Sequence, residues 1–162
     1  MILRLSTALA VVVAVPAAAQ AASTNVPVKA KLLKTLALTA KQDFDFGQVL
    51  LPSTGSAVTL SISQAGVLSC PAPLACSGTT KHAIFNVTGS NGQIVRITAV
   101  PVSMSNGAGG SLTFTPVAPA SVTLTNSGNQ GLDFGVGGSI SVSPTTPDGT
   151  YTGTLTVTAE YQ

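Results

Sequence analysis

The segment Thr150-Tyr151-Thr152-Gly153-Thr154-Leu155-Thr156-Val157-Thr158-Ala159-Glu160-Tyr161 alternates without a break: every even position is Thr or Glu, and the odd positions are apolar, Gly or Tyr. Two is the period of an extended strand, whose successive side chains point to opposite faces. One row therefore enters a core, and the Thr row faces solvent or a polar partner. The pattern predicts a strand over 150–161 with Leu155 and Tyr161 turned inward.

The same rule recurs upstream. Val58, Leu60 and Ile62 alternate with Thr59, Ser61 and Ser63, and Leu112 with Phe114, Val122 with Leu124 and Ile140 with Val142 make shorter copies. The less regular runs Ala83 to Val87 and Ile94 to Val100 read as more central strands. Between these lie Pro52-Ser53-Thr54-Gly55, Gly89-Ser90-Asn91-Gly92, Asn106-Gly107-Ala108-Gly109-Gly110, Asn126-Ser127-Gly128-Asn129 and Pro147-Asp148-Gly149. Gly and Asn supply positive φ and Pro sets the entry residue, which is turn chemistry. Nothing after residue 22 has a helical face. Short strands at such spacing predict an all-β chain folded as a β-sandwich.

Composition narrows the function. With 162 residues the chain supplies one domain, and 44% hydrophobic against 7% charged residues is not the composition of a disordered chain. Seven Lys and Arg and a net charge of +2 leave no basic stripe for phosphates, so nucleic acid is not an expected partner. One His, two Cys and five acidic residues leave little material for catalysis or metal binding, and no enzyme activity or cofactor is expected.

The N-terminus reads as an export signal. Arg4 precedes an apolar run from Leu5 to Val15, followed by Pro16 and the small residues Ala17-Ala18-Ala19-Gln20-Ala21-Ala22. The run is too short to span a membrane, and cleavage is expected after Ala21 or Ala19, giving a signal peptide over 1–21. Export sets the chemistry of Cys70 and Cys76, which bracket Pro71-Ala72-Pro73-Leu74-Ala75. In an oxidising compartment they are expected to form one short-loop disulfide; a catalytic or metal-binding pair is the alternative.

From Val26 the even positions run Val26, Val28, Ala30, Leu32, Lys34, Leu36, Leu38, Ala40, Gln42, Phe44 and Phe46. As one strand at about 3.3 Å per residue this would reach about 70 Å, too long for a sandwich. Lys34 and Gln42 interrupt the apolar row. They divide the run into an arm over 22–34 with Ser23 to Leu33 as its extended part, a first strand Thr35 to Lys41, and a second strand beginning at Asp43. Val26, Val28, Ala30 and Leu32 line one face of the arm and lysines the other. An extended segment of this kind can add to an open sheet edge, its alternate side chains entering a groove. Pairing within its own domain, or no pairing at all, is the other reading.

The closing segment Pro147 to Gln162 resembles the C-terminus of chaperone-usher pilins, which have a Gly about fourteen residues from the end and a penultimate Tyr; here these are Gly149 and Tyr161. Together with Asp45-Phe46-Gly47, Phe85-Asn86-Val87-Thr88-Gly89 and Gly149-Thr150-Tyr151-Thr152-Gly153, the chain over 35–162 is also similar to an uncharacterised bacterial family, domain of unknown function DUF4402. These resemblances imply an immunoglobulin-like (pilin-like) β-sandwich with an extended N-terminal arm on the Gram-negative cell surface. They further imply a sandwich lacking its last strand, a periplasmic chaperone that lends one, an outer-membrane usher, and replacement by the arm of the next copy in a head-to-tail polymer. The cysteines depart from the pilin pattern, where the disulfide links early strands. The expected function is a structural subunit of an extracellular fibre, a fimbrium, and the alternative a monomeric surface-binding module whose loops, such as Val67 to Thr80, contact a ligand.

Four signals look chemical. Asp-Phe-Gly occurs at 45–47 and 133–135, but a kinase needs a much longer chain, so each reads as a core aromatic followed by a Gly that lets the strand bend. Asn106 to Gly110 lacks a following helix to cradle phosphate and reads as a hairpin loop. His82 stands at a strand entrance without a catalytic constellation. Asp43 and Asp45 share a face, but calcium asks for six to eight oxygens.

Overall fold

The computed structural model describes residues 20–162, so most of the segment read as a signal peptide lies outside the described residues. The described residues fall into two units, 20–31 and 32–162. In the first, residues 20–31 belong to no strand and are exposed throughout.

The second unit is all-β, and the described residues contain no helix. Its strands are β1 Ala37–Gln42, β2 Gln48–Leu50, β3 Val58–Ile62, β4 Leu68–Ser69, β5 Ala75–Ser77, β6 Ala83–Thr88, β7 Ile94–Ala99, β8 Val102–Ser105, β9 Ser111–Val117, β10 Ser121–Thr123, β11 Leu132–Val142 and β12 Val157–Tyr161. All pairings are antiparallel. The largest sheet runs β1-β6-β11-β3-β4, with β9 beside β11 and β8 beside β9; β10-β7-β12 form a second sheet and β2-β5 a ribbon.

β11 is the hub. Its first half, Leu132 to Val136, pairs with β6, and its second half is flanked by β3 and β9, so that Ile140 sits between Leu60 and Phe114. Two apolar clusters follow this division. Phe85, Val87, Val95, Ile97, Leu124, Phe134 and Val136 fill one, between the first half of β11 with β6 and the β10-β7-β12 sheet. Phe46, Leu60, Ile62, Leu74, Phe114, Ile140 and Val142 fill the other. Phe44 and Leu155 pack against both. Each cluster has its own ring pair or group: Phe85 stacks on Phe134 at 5.8 Å, and Phe44 meets Phe46 and Phe114 edge-on, each at 4.8 Å.

Both Asp-Phe-Gly copies place the Phe in a core, at 8% exposure for Phe46 and 7% for Phe134. Gly47 takes φ +71°, and at Gly135 a side chain would run into the carbonyl oxygen of Gln64, so each glycine is required for a local reason. The Asn106 to Gly110 segment is the β8–β9 hairpin loop, tied by Asn106 Oδ1 accepting from Ala108 N and Gly110 N.

Two expected strand boundaries are corrected. The closing segment is not one strand: Thr152 forms an isolated bridge to Ser105 on the β8 side, the chain then leaves that sheet, and only Val157–Tyr161 pairs, with β7. Its alternation nevertheless survives the crossing, because Tyr151, Leu155, Val157, Ala159 and Tyr161 are half-buried while the intervening Thr and Glu residues are exposed. The alternation reports which side faces the core, and it does so whether or not the backbone is laddered. Nor does a second strand begin at Asp43: Asp45 makes a single bridge to Lys81, and the next strand is Gln48–Leu50. Gly47 turns the chain before a ladder can form.

Candidate functional site

Cys70 and Cys76 are bridged, with Cα atoms 6.3 Å apart, and the enclosed Leu74 is buried at 8% exposure in the second cluster. The bridge ties the end of β4 to β5, which pairs with β2 through Val49 and Cys76. A disulfide is what a chain exported to an oxidising compartment forms. Among the described residues no helix is long and apolar enough to cross a membrane, and no group of His, Cys, Asp or Glu could hold a metal. Asp45 Oδ1 accepts from Gly47 N at 2.8 Å, a turn contact, and the imidazole of His82 packs against Gly66 and Gly135.

The four arm residues named above lie on the exposed segment. Val26, Val28 and Leu32 are 77%, 95% and 92% exposed, values that large apolar side chains in a folded chain seldom keep without a partner, and Ala30 is exposed as well. Two residues beyond Leu32, Lys34 is held firmly. The Lys34 N–H donates to Ser90 Oγ at 2.7 Å, its ammonium donates to the Ser127 carbonyl, and its own carbonyl accepts from Tyr161 Oη at 2.8 Å. Tyr161 Oη in turn accepts from Ser90 N at 2.8 Å. The penultimate tyrosine thus closes one end of the folded unit. Gly149 lies in the turn after Pro147, where Tyr151 Oη donates to the Pro147 carbonyl and Asn106 Nδ2 to the Asp148 carbonyl.

The other end is open. A cleft of about 610 Å³ lies between the segment 44–51, the inner sides of β8, β9 and β11, and the segment 146–155. Its floor is apolar, made by Phe44, Val102, Met104, Leu112, Phe114 and Leu155, with the Phe44 and Phe114 rings in edge-on contact. On both walls the backbone lies outside any sheet, at Phe46 and Gly47 on one side and at 153–156 on the other. Unladdered N–H and C=O groups beside an apolar trough are what an added strand requires. Sequence reading did not find this cleft. Its one signal was the alternation of Phe44 and Phe46, which marks burial but not what lies opposite.

Asn86 also went unnoticed as more than part of a strand. It is buried at 7% exposure, and its amide donates to Asp133 Oδ1 and to the Gln130 carbonyl, while Lys41 Nζ bonds Asp133 Oδ2 at 2.9 Å. The Asn86 amide, then Lys41, hold the Asp133 carboxyl below its ordinary value against a small opposing effect of burial. This rung joins β1, β6 and β11 and is structural.

Neither the curated proteins nor the solved structures contain a match to the chain. The family model described as "Domain of unknown function (DUF4402)" matches residues 36–161, from the half-buried Leu36 at the entry to β1 to the Tyr161 that closes the fold. The chain belongs to that family.

Proposed function

We propose that this protein is a structural subunit of an extracellular fibre on the bacterial surface, assembled when the N-terminal arm of one copy completes the β fold of the next. The observation that carries this reading is the exposure of Val26, Val28 and Leu32 on a segment that belongs to no strand, in a chain whose folded unit leaves an apolar cleft open. An arm and a cleft at different places on one chain make a head-to-tail contact, which does not close on itself and so builds a filament. The resemblance to pilins supplies the remaining parts: an immunoglobulin-like sandwich, a periplasmic chaperone that occupies the cleft in transit, and an outer-membrane usher. Catalysis and cofactors have no role in this reading.

The test removes Ser23 to Leu33. The truncated chain should keep its β spectrum and lose high-order assemblies. A peptide of the deleted sequence should raise its melting temperature, because a ligand that binds only the folded state stabilises it by mass action. A full mature chain that stays monomeric at high concentration, even after unfolding and refolding, together with an inert peptide, would overturn the reading. The protein would then be a monomeric surface-binding module.

A further inference from the structure

Resting on that reading, we infer that the cleft between 44–51 and 146–155 is the acceptor for a second copy's arm, and that Asp45 and Asp148 on its rim recognise Lys29 and Lys31. Pro27 has no N–H, so an unbroken ladder starts at Val28 and runs to Leu32. Laid as a strand with Val28, Ala30 and Leu32 toward the apolar floor, this stretch turns Lys29 and Lys31 outward, about 6.6 Å apart along the strand. The residues they meet are those at the mouth. Both acidic side chains that line the cleft, Asp45 on the 44–51 wall and Asp148 on the 146–155 wall, are exposed, and no basic residue lines it.

Neither aspartate is consumed within its own chain. Among the described residues Lys41 pairs with Asp133, and neither lines the cleft. Asp45 spends one oxygen on the Gly47 N–H, and Asp148 uses only its main-chain carbonyl, toward Asn106. Lys81 stands opposite Asp45 in a backbone bridge without an ion pair to it. The arm thus brings positive charge to a mouth that carries negative charge. Each exposed pair contributes little by itself, but the two together hold the lysine face of the strand at the mouth and so turn its apolar face to the floor.

The experiment uses the full mature chain and follows assembly by sedimentation. An arm variant carries Lys29→Glu and Lys31→Glu. A cleft variant carries Asp45→Asn, which keeps the acceptor for Gly47, and Asp148→Lys. All four positions are exposed, and circular dichroism establishes that each variant is folded before assembly is compared. Each alone should assemble about tenfold less well than the parent, because arm and cleft then carry like charge. Mixing the two should restore polymer, since each arm now meets a cleft of opposite charge. Salt should weaken the parent's assembly as the screening length falls from about 10 Å at 0.1 M to about 3 Å at 1 M.

If both variants assemble as well as the parent, or if mixing restores nothing, the arm does not dock here through these charges and the inference fails. Val28→Asp separates that failure from failure of the fibre reading. If Val28→Asp abolishes assembly, strand exchange stands and its acceptor lies elsewhere. If Val28→Asp assembles like the parent, or the parent stays monomeric, strand exchange and this inference fall together.

Discussion

Tyr161 Oη donates a 2.8 Å hydrogen bond to the carbonyl oxygen of Lys34, joining positions 127 residues apart. The same oxygen accepts from Ser90 N, so one hydroxyl fastens the last strand, the entry to the first strand and the β6–β7 turn. Tyr161→Phe keeps the ring and removes both bonds. It should cost about 1–3 kcal/mol, from roughly 0.5–1.5 kcal/mol per bond, read as a lower denaturant midpoint with unchanged slope. An unchanged midpoint would mean that the ring alone closes this end.

Leu155 and its neighbour Thr156 make a paired test of the closing segment. Leu155 is half-buried against both apolar clusters, whereas Thr156 is exposed. Leu155→Ala should cost about 2–3 kcal/mol, the low end of the range for core truncations because the site is only partly enclosed, and Thr156→Ala should stay within about 0.5 kcal/mol. Equal losses in chemical denaturation would contradict the facing described here.

Acid should loosen the Asn86–Asp133–Lys41 rung. The Asp133 carboxyl is held below its usual 3.8. A depressed carboxylate contributes stability that is complete above that unfolded value and disappears as pH falls through the lower folded one. Asp133→Asn should therefore lower the melting temperature near neutral pH, with the gap to the parent shrinking as the solution is made more acidic than 3.8. Melting curves across that range check it; a gap that widens in acid contradicts the assignment.

Loss of the Cys70–Cys76 bridge should leave the fold in place. The chain-entropy relation assigns so short a loop about 2 kcal/mol. Cys70→Ser with Cys76→Ser should lower stability by about that amount while keeping the β spectrum, and proteolysis should begin between the two positions. Leu74→Ala, which empties a buried site in the same loop, should cost about 2–5 kcal/mol with the bridge intact. Mass spectrometry of non-reduced peptides reads the bridge, and calorimetry both stabilities.

Much of this fold could be read before any coordinates. Alternation reports a strand's two faces directly, which is why the inward rows at Leu60 and Ile62, at Phe114 and at Ile140 and Val142 were legible and are buried. The turns were legible for a separate reason, since Gly and Asn meet backbone demands that are local. Of the strands that escaped notice, Gln48–Leu50, Leu68–Ser69 and Ala75–Ser77 are two or three residues long, too short to display a period, and exist because a partner or the disulfide holds them, while Val102–Ser105 alternates over only four residues between Pro101 and the Asn106 turn. The arm was visible as a pattern that outran a sandwich strand. The cleft was not, because it is formed by segments nearly a hundred residues apart, and its apolar floor reads in one dimension like any other core row.

The central place of β11 has a consequence for timing. Each of its sheet neighbours, β3, β6 and β9, precedes it in the chain, and both apolar clusters draw on its residues. A polypeptide delivered from its N-terminus must therefore emerge as far as Val136 before the first half of the main sheet can close on β6, and as far as Val142 before the second closes on β3. Until then β3, β6 and β9 present bare edges, the state in which β chains pair with the wrong neighbour. Every contact made through β11 comes late, so the newly delivered chain passes through an interval in which the greatest hazard to each copy is another copy at the same stage.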